Sequence, residues 1–72
     1  MSRWWKVWTY GHEATPVVVR TRKSGGARYA LFLAMRDAGY FQGRDGFHRF
    51  LIEVSSREAT ELEVLALPRI GR

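Results

Sequence analysis

Residues 4–21 read WWKVWTYGHEATPVVVRT, two stretches of aromatic and β-branched residues separated by a short polar segment. Side chains of this kind favour β-strands, and Gly11 and Pro16 in the intervening segment favour a turn. We therefore predict a hairpin of two antiparallel strands over residues 3–10 and 15–22. Bulky side chains alternate onto both faces of the first strand, which predicts that it is covered on each side or lies at an interface.

A helix is predicted after the hairpin, over residues 26–38. Ser24-Gly25-Gly26 interrupts the strand pattern, and small or apolar residues then recur at the spacing of one helix face: Ala27, Ala30, Leu31, Ala34 and Ala38. This alanine-rich face predicts close packing of the helix against the sheet, with Phe32, Leu33 and Met35 widening the apolar surface. Gly39 is placed where a helix commonly ends.

The remainder of the chain predicts a third strand and one undecided element. Phe50, Ile52 and Val54 alternate with polar and other residues, which indicates a strand over 48–56, and a short helical turn at 47–50 could precede it. Residues 58–67 fit a short helix or a strand, and the Ser55-x-x-Glu58 spacing of a capping box favours the helix. Residues 68–72 are predicted to be a frayed tail.

These elements predict one α+β domain over residues 1–72, with a β-β-α-β core. One main helix packs on a small antiparallel sheet made of the hairpin and the third strand. The chain has 72 residues and no cysteine, which excludes a disulfide framework, a thiolate zinc site and a cysteine nucleophile. It contains no apolar run of membrane-spanning length and no apolar signal segment at its start, so we expect a cytoplasmic protein.

The charge is unevenly distributed along the chain. Lysine and arginine number 12 against 7 acidic residues, a net charge of +5. Residues 1–36 contain seven basic side chains and one acidic side chain, a net charge of +6, whereas residues 37–72 have a net charge of −1. This asymmetry predicts a basic face that meets an anionic partner. Ordinary solubility accounts equally well for a net charge of this size.

A basic cluster at the junction of the second strand and the helix is the first candidate binding site. It holds four cations within nine residues: Arg20, Arg22, Lys23 and Arg28. The free backbone N–H groups of a helix N-terminus favour an anion, so a nucleic-acid phosphate or a row of protein carboxylates fits this position. The alternative is a solvated loop whose glycines serve the backbone geometry. The order of residues excludes a Walker A loop.

The first strand supplies the second candidate, in which aromatic rings alternate with the cations Arg3 and Lys6. Trp4, Trp5, Trp8 and Tyr10 could stack on nucleic-acid bases or anchor a protein interface. In so short a chain, core packing is the competing interpretation: we expect at least two of the three tryptophans in the core and Trp4 to stay exposed.

No catalytic, metal-binding or cofactor-binding set is predicted, and we expect a protein that is not an enzyme. His12 and His48 are the two histidines, and neither has a nucleophile or an orienting carboxylate at a suitable spacing. Glu58, Glu61 and Glu63 are predicted to form a solvated acidic face.

Four short segments resemble small proteins encoded by phages and prophages. They are WKVWTYG at residues 5–11, TPVVVR at 15–20, ARY at 27–29 and DAGY at 37–40. The resemblance covers about residues 3–55, and the acidic residues 58–63 depart from it. One class of similar size and origin is the anti-CRISPR proteins.

The resemblance implies an inhibitor of a host type I CRISPR–Cas surveillance complex. Such an inhibitor would act by stoichiometric binding that blocks access of target DNA, as a monomer or homodimer, with Arg20, Arg22, Lys23 and Arg28 as contacts. An Arg22→Glu, Lys23→Glu double change would then abolish binding. The alternatives are a small basic nucleic-acid-binding accessory or regulatory protein of a phage, and a phage assembly protein whose aromatic strand pairs with a copy of itself.

Overall fold

The computed structural model describes residues 3–21 and 27–70. They form, in chain order, β1 (Arg3–Thr9), β2 (Val17–Thr21), α1 (Ala27–Asp37), α2 (Gly46–Glu53), β3 (Val54–Glu58), α3 (Glu61–Ala66) and β4 (Arg69–Ile70). The fold class is α+β, which confirms the prediction from the sequence.

The four strands form one sheet in the order β3-β1-β2-β4. The predicted hairpin is present, with β1 antiparallel to β2 and Trp5 opposite Val19. β3 pairs antiparallel with the other side of β1. The three predicted strands are therefore antiparallel as expected, and β4, which was not predicted, is parallel to β2 and makes the sheet mixed. β4 lies within the segment 68–72, which was predicted to be a frayed tail. A hydrogen bond of 2.8 Å from Val18 N–H to Pro68 C=O holds this segment beside β2.

The hydrophobic core lies between one face of this sheet and the helices α1 and α2. Its buried members are Val7, Val19, Leu31, Phe32, Met35, Phe50 and Val54. Successive strand residues point to opposite faces, so the neighbours of Val7 in β1, Lys6 and Trp8, lie on the other face of the sheet. α1 and α2 therefore cover one face, and α3 lies on the other, where Glu63 contacts Lys6.

α1 falls within the predicted helix, and residue 26 lies outside the described residues. Its buried face is centred on Leu31, Phe32 and Met35 rather than on the alanines of the predicted face. Large side chains bury more apolar area than alanine does. Gly39 ends the helix as predicted. Its φ is 99°, and the bonds from Tyr40 N–H to Met35 C=O and from Gly39 N–H to Arg36 C=O form a Schellman motif.

The prediction of a strand over residues 48–56 was wrong for its first part, since α2 runs to Glu53 and β3 begins only at Val54. The helix buries Phe50 completely and leaves Ile52 68% exposed, although an alternating strand would place both on one face. The guanidinium of Arg28 donates hydrogen bonds to the carbonyl oxygens of Leu51 and Val54, both 3.3 Å long. These bonds satisfy carbonyl groups where the helix ends.

The undecided segment 58–67 contains a helix, α3. Its capping box joins Thr60 and Glu63, with the hydroxyl of Thr60 accepting from Glu63 N–H and the carboxylate of Glu63 accepting from Thr60 N–H. The predicted capping box at Ser55 and Glu58 was wrong, because both residues belong to β3.

Candidate binding surfaces

The predicted binding residues do not form one site. Trp4 and Lys6 lie on the sheet face that carries α3, and Arg20 is the cross-strand partner of Trp4; we call this side of the molecule the α3 face. Arg3 is exposed at the start of β1. Arg22 and Lys23, the centre of the predicted basic cluster, lie outside the described residues.

Arg28 is separated from the α3 face and has a structural role. Besides its hydrogen bonds to the end of α2 and to β3, its guanidinium carbon lies 5.1 Å from the centre of the Phe50 ring. A cation over an aromatic face is an attractive arrangement. Arg20 and Arg28 of the basic cluster are therefore separated in space, because Arg20 lies in β2 with its side chain on one side of the sheet and Arg28 lies in the first turn of α1 on the other.

Glu63 pairs with two cations of the α3 face, Lys6 and Arg57. Its carboxylate accepts two hydrogen bonds from Arg57, 2.8 and 2.5 Å long, and lies 3.3 Å from Lys6 Nζ. The prediction that Glu63 belongs to a solvated acidic face was wrong. Lys6 also lies 5.6 Å from the centre of the Trp8 ring, so its side chain is held between an acid and an aromatic ring.

The same contacts shift two pKa values. The hydrogen bonds from Arg57, followed by that from the backbone of Thr60, hold the pKa of the Glu63 carboxyl well below its usual range. In return, the hydrogen bonds to Glu63 raise the pKa of Arg57. The charged form of Glu63 is thus favoured by folding, and α3 is attached to the sheet by an ion pair.

We expect acid to weaken this attachment. Because the pKa of Glu63 is lower in the folded than in the unfolded chain, its contribution to stability is fully present above the unfolded value, about 4.3, and is lost as the pH falls towards the folded value. Glu63→Gln should therefore lower the urea midpoint at neutral pH and flatten its dependence on acid pH. Glu53→Gln, which removes the same charge from an exposed position of α2, is the control. An unchanged acid dependence in Glu63→Gln would contradict this assignment.

Trp4 is half-buried, so the expectation that it stays exposed was wrong. Its ring centre lies 5.6 Å from the guanidinium carbon of Arg69, and Trp4 lines a shallow groove together with Glu61, Val64 and Leu65. Trp5 packs against the core and donates a hydrogen bond from Nε1 to Thr21 Oγ1. Trp8 is half-buried on the α3 face. Of the three tryptophans, Trp5 is thus the one that joins the core.

Sequence reasoning missed an exposed apolar surface on the side of α1 and α2. Tyr29 is 53%, Phe47 37% and Leu51 44% exposed. The rings of Tyr29 and Phe47 meet edge to face with centres 5.4 Å apart, and Leu51 follows Phe47 by one helical turn. We call these three residues the α1–α2 patch. Phe47 and Leu51 are four positions apart in the sequence, and residues at this spacing are neighbours only if the segment is a helix.

The central position of β1 and the outer edge of β3 argue against assembly by pairing of these two strands. β1, the aromatic strand, lies between β3 and β2, so the hypothesis that it pairs with a copy of itself was wrong. At the outer edge of β3, the carbonyl oxygens of Val54 and Glu58 accept hydrogen bonds from Arg28 and Arg57. These arginines leave little of the edge available to a further strand.

Within residues 3–21 and 27–70, no group of three or more histidine, cysteine or acidic side chains is placed to hold a metal ion. His12 lies in the turn after β1, and His48 is exposed on α2. None of the helices in the described part of the chain is long and apolar enough to cross a membrane. Comparison with protein-family models, curated proteins and solved structures finds no match to this chain.

Proposed function

We propose that this protein is a non-catalytic binding protein that acts by occupying the surface of a protein partner. The observation that carries the proposal is the α1–α2 patch, where Tyr29, Phe47 and Leu51 are exposed beside one another and Arg28 lies at the border. Exposed contiguous apolar side chains indicate an interaction site. Aromatic residues and arginine are the residue types that contribute most energy to protein interfaces.

Charge favours an acidic partner surface. The chain has a net charge of +5, and Tyr29 directly follows a segment with the cations Arg22, Lys23 and Arg28. Opposite charge on the partner would accelerate encounter and orient the two molecules. The partner expected from this chemistry presents apolar side chains to the patch and carboxylates around them.

For the partner we propose a host type I CRISPR–Cas surveillance complex, with inhibition by stoichiometric binding that blocks access of target DNA. The support for this choice is the resemblance of residues 3–55 to small phage-encoded proteins. Such complexes hold nucleic acid in a basic channel, which repels a basic inhibitor. The charge of this chain therefore favours docking on an acidic protein surface of the complex rather than imitation of DNA.

Phe47→Glu should abolish inhibition. The substitution places a charge at the centre of the patch, and loss of an aromatic anchor weakens protein binding about thirtyfold or more. Tyr10→Glu is the matched control, because Tyr10 is an aromatic residue 87% exposed beyond the end of β1. We expect this control to inhibit like the wild type, with binding measured by titration calorimetry against the purified complex. Equal affinity of Phe47→Glu and wild type would contradict docking through the patch.

Nucleic-acid binding is the second candidate function, and the α3 face favours it. Arg20 lies opposite Trp4, and Trp8 is half-buried beside Lys6, which combines cations with rings for base stacking. Glu63 weakens this candidate because it already pairs with Lys6 and Arg57. A mobility shift with single-stranded and duplex DNA tests it, since binding through phosphates falls steeply with salt. Binding that persists near physiological salt would favour this candidate over the protein partner.

A further inference from the structure

α3 turns Glu63 and Val64 towards the sheet and both of its leucines outward. Glu63 points to Lys6 and Arg57, whereas Leu62 is 78% and Leu65 74% exposed. A surface helix of a monomer usually turns its apolar side to the core and its charges to water. This orientation leaves two leucines, one helical turn apart, on an outer surface.

A groove lies next to these leucines. It is formed by the ring of Trp4 and by three residues of α3: Glu61, Val64 and Leu65. Leu65 belongs both to the groove and to the exposed pair, while Leu62 projects beside it. The α3 face therefore carries an exposed leucine, Leu62, next to an apolar groove beside Trp4. A surface that binds a copy of itself in a two-fold dimer has to be self-complementary in this way.

The charges of the α3 face are also self-complementary. Glu61 begins the helix, and Arg69 lies at its other end, where Arg69 Nε donates a hydrogen bond of 3.0 Å to Val64 C=O. A two-fold axis across the helix would place two α3 helices antiparallel. Each Glu61 would then face Arg69 of the second copy.

We propose that the α3 face is the interface of a homodimer, with Leu62 of each copy seated in the Trp4 groove of the other. The second copy is the occupant we infer because this one surface carries both the exposed leucine and the groove that would receive it, and both the acid and the cation that would pair. α1 and α2 cover the opposite face of the sheet, so dimerisation leaves both α1–α2 patches exposed. This inference is independent of the partner proposed above, although a dimer would present two docking patches and gain avidity.

Sedimentation velocity over a wide range of protein concentrations tests the dimer. The full chain should approach twice its mass of 8.4 kDa as the concentration rises. Leu62→Glu should remain monomeric, because it would bury a charge in the Trp4 groove. Leu51→Glu, an exposed leucine on the opposite side, should dimerise like the wild type. A wild-type chain that stays monomeric throughout, or a Leu62→Glu variant that still dimerises, would overturn the proposal.

A mixing experiment tests the antiparallel arrangement. In Glu61→Lys alone, the introduced lysine would face Arg69 of the second copy. In Arg69→Glu alone, the introduced glutamate would face Glu61 of the second copy. Like charges would repel in both cases, so each variant should be monomeric. In an equimolar mixture, pairing one copy of each variant leaves unlike charges opposite each other at both ends, and association should return. Circular dichroism establishes that both variants are folded. Failure of two folded variants to associate on mixing would overturn the antiparallel pairing.

Discussion

Phe50→Ala should bring the free energy of unfolding close to zero. Phe50 is completely buried, and its ring meets those of Phe32, Phe41 and Phe47 with centres 5.6, 5.8 and 6.2 Å away. Truncation of a buried phenylalanine costs about 3–5 kcal/mol, and a core in a domain of this size contributes no more than about 3–5 kcal/mol of net stability. Urea unfolding followed by circular dichroism measures the change.

Leu51→Ala is the control for this experiment. Leu51 is the next residue of α2 and is 44% exposed, so its truncation should change the stability far less than that of Phe50. A cooperative transition of Phe50→Ala with a midpoint near that of the wild type would contradict the position of α2 in the core.

Gly46→Ala should also be strongly destabilising. Gly46 is the buried first residue of α2, and a Cβ atom added there would overlap the backbone carbonyl oxygen of Phe41. Phe41 already has a positive φ of 52°, which few residues other than glycine adopt, so its backbone cannot move away freely. We expect a loss of about 3 kcal/mol, the upper end of the cost of overpacking.

Gly43→Asn provides the matched comparison. Gly43 has a φ of 92°, and the space where its Cβ would stand is open; asparagine is one of the few residues that tolerate this region. Its thermal unfolding midpoint should stay close to that of the wild type, while that of Gly46→Ala falls. Equal midpoints for the two variants would contradict the close approach of α2 to Phe41.

The sequence predicted those elements whose determinants are local. The hairpin follows from the alternation in β1 and the Val17–Val19 run, and the end of α1 follows from Gly39. Of α2, only a helical turn at 47–50 was predicted, because Phe50, Ile52 and Val54 fit a strand, whereas Phe47, Phe50 and Leu51 fit a helix. Contacts with residues far away in the chain favour the helix. The guanidinium of Arg28 donates hydrogen bonds to the carbonyl oxygens of Leu51 and Val54, which lie 23 and 26 positions further along the chain.

The candidate surfaces were harder to predict for the same reason. Cations that are neighbours in sequence, such as Arg20 and Arg28, separate onto opposite sides of the sheet. The charge of Lys6 is partly offset by Glu63, which is far away in the chain and whose position depends on where α3 lies. Exposure of Tyr29 and Phe47 likewise depends on the packing of α1 against α2, which no periodicity in either segment encodes.

One titration compares docking on a protein surface directly with binding to nucleic acid. The wild-type chain is titrated, in physiological salt of about 0.15 M, against a purified type I surveillance complex and, separately, against duplex and single-stranded DNA of random sequence. The proposed function requires saturable stoichiometric binding to the complex, loss of target DNA binding by that complex, and no comparable affinity for free DNA. Tight binding to free DNA at this salt concentration, with none to the complex, would contradict it.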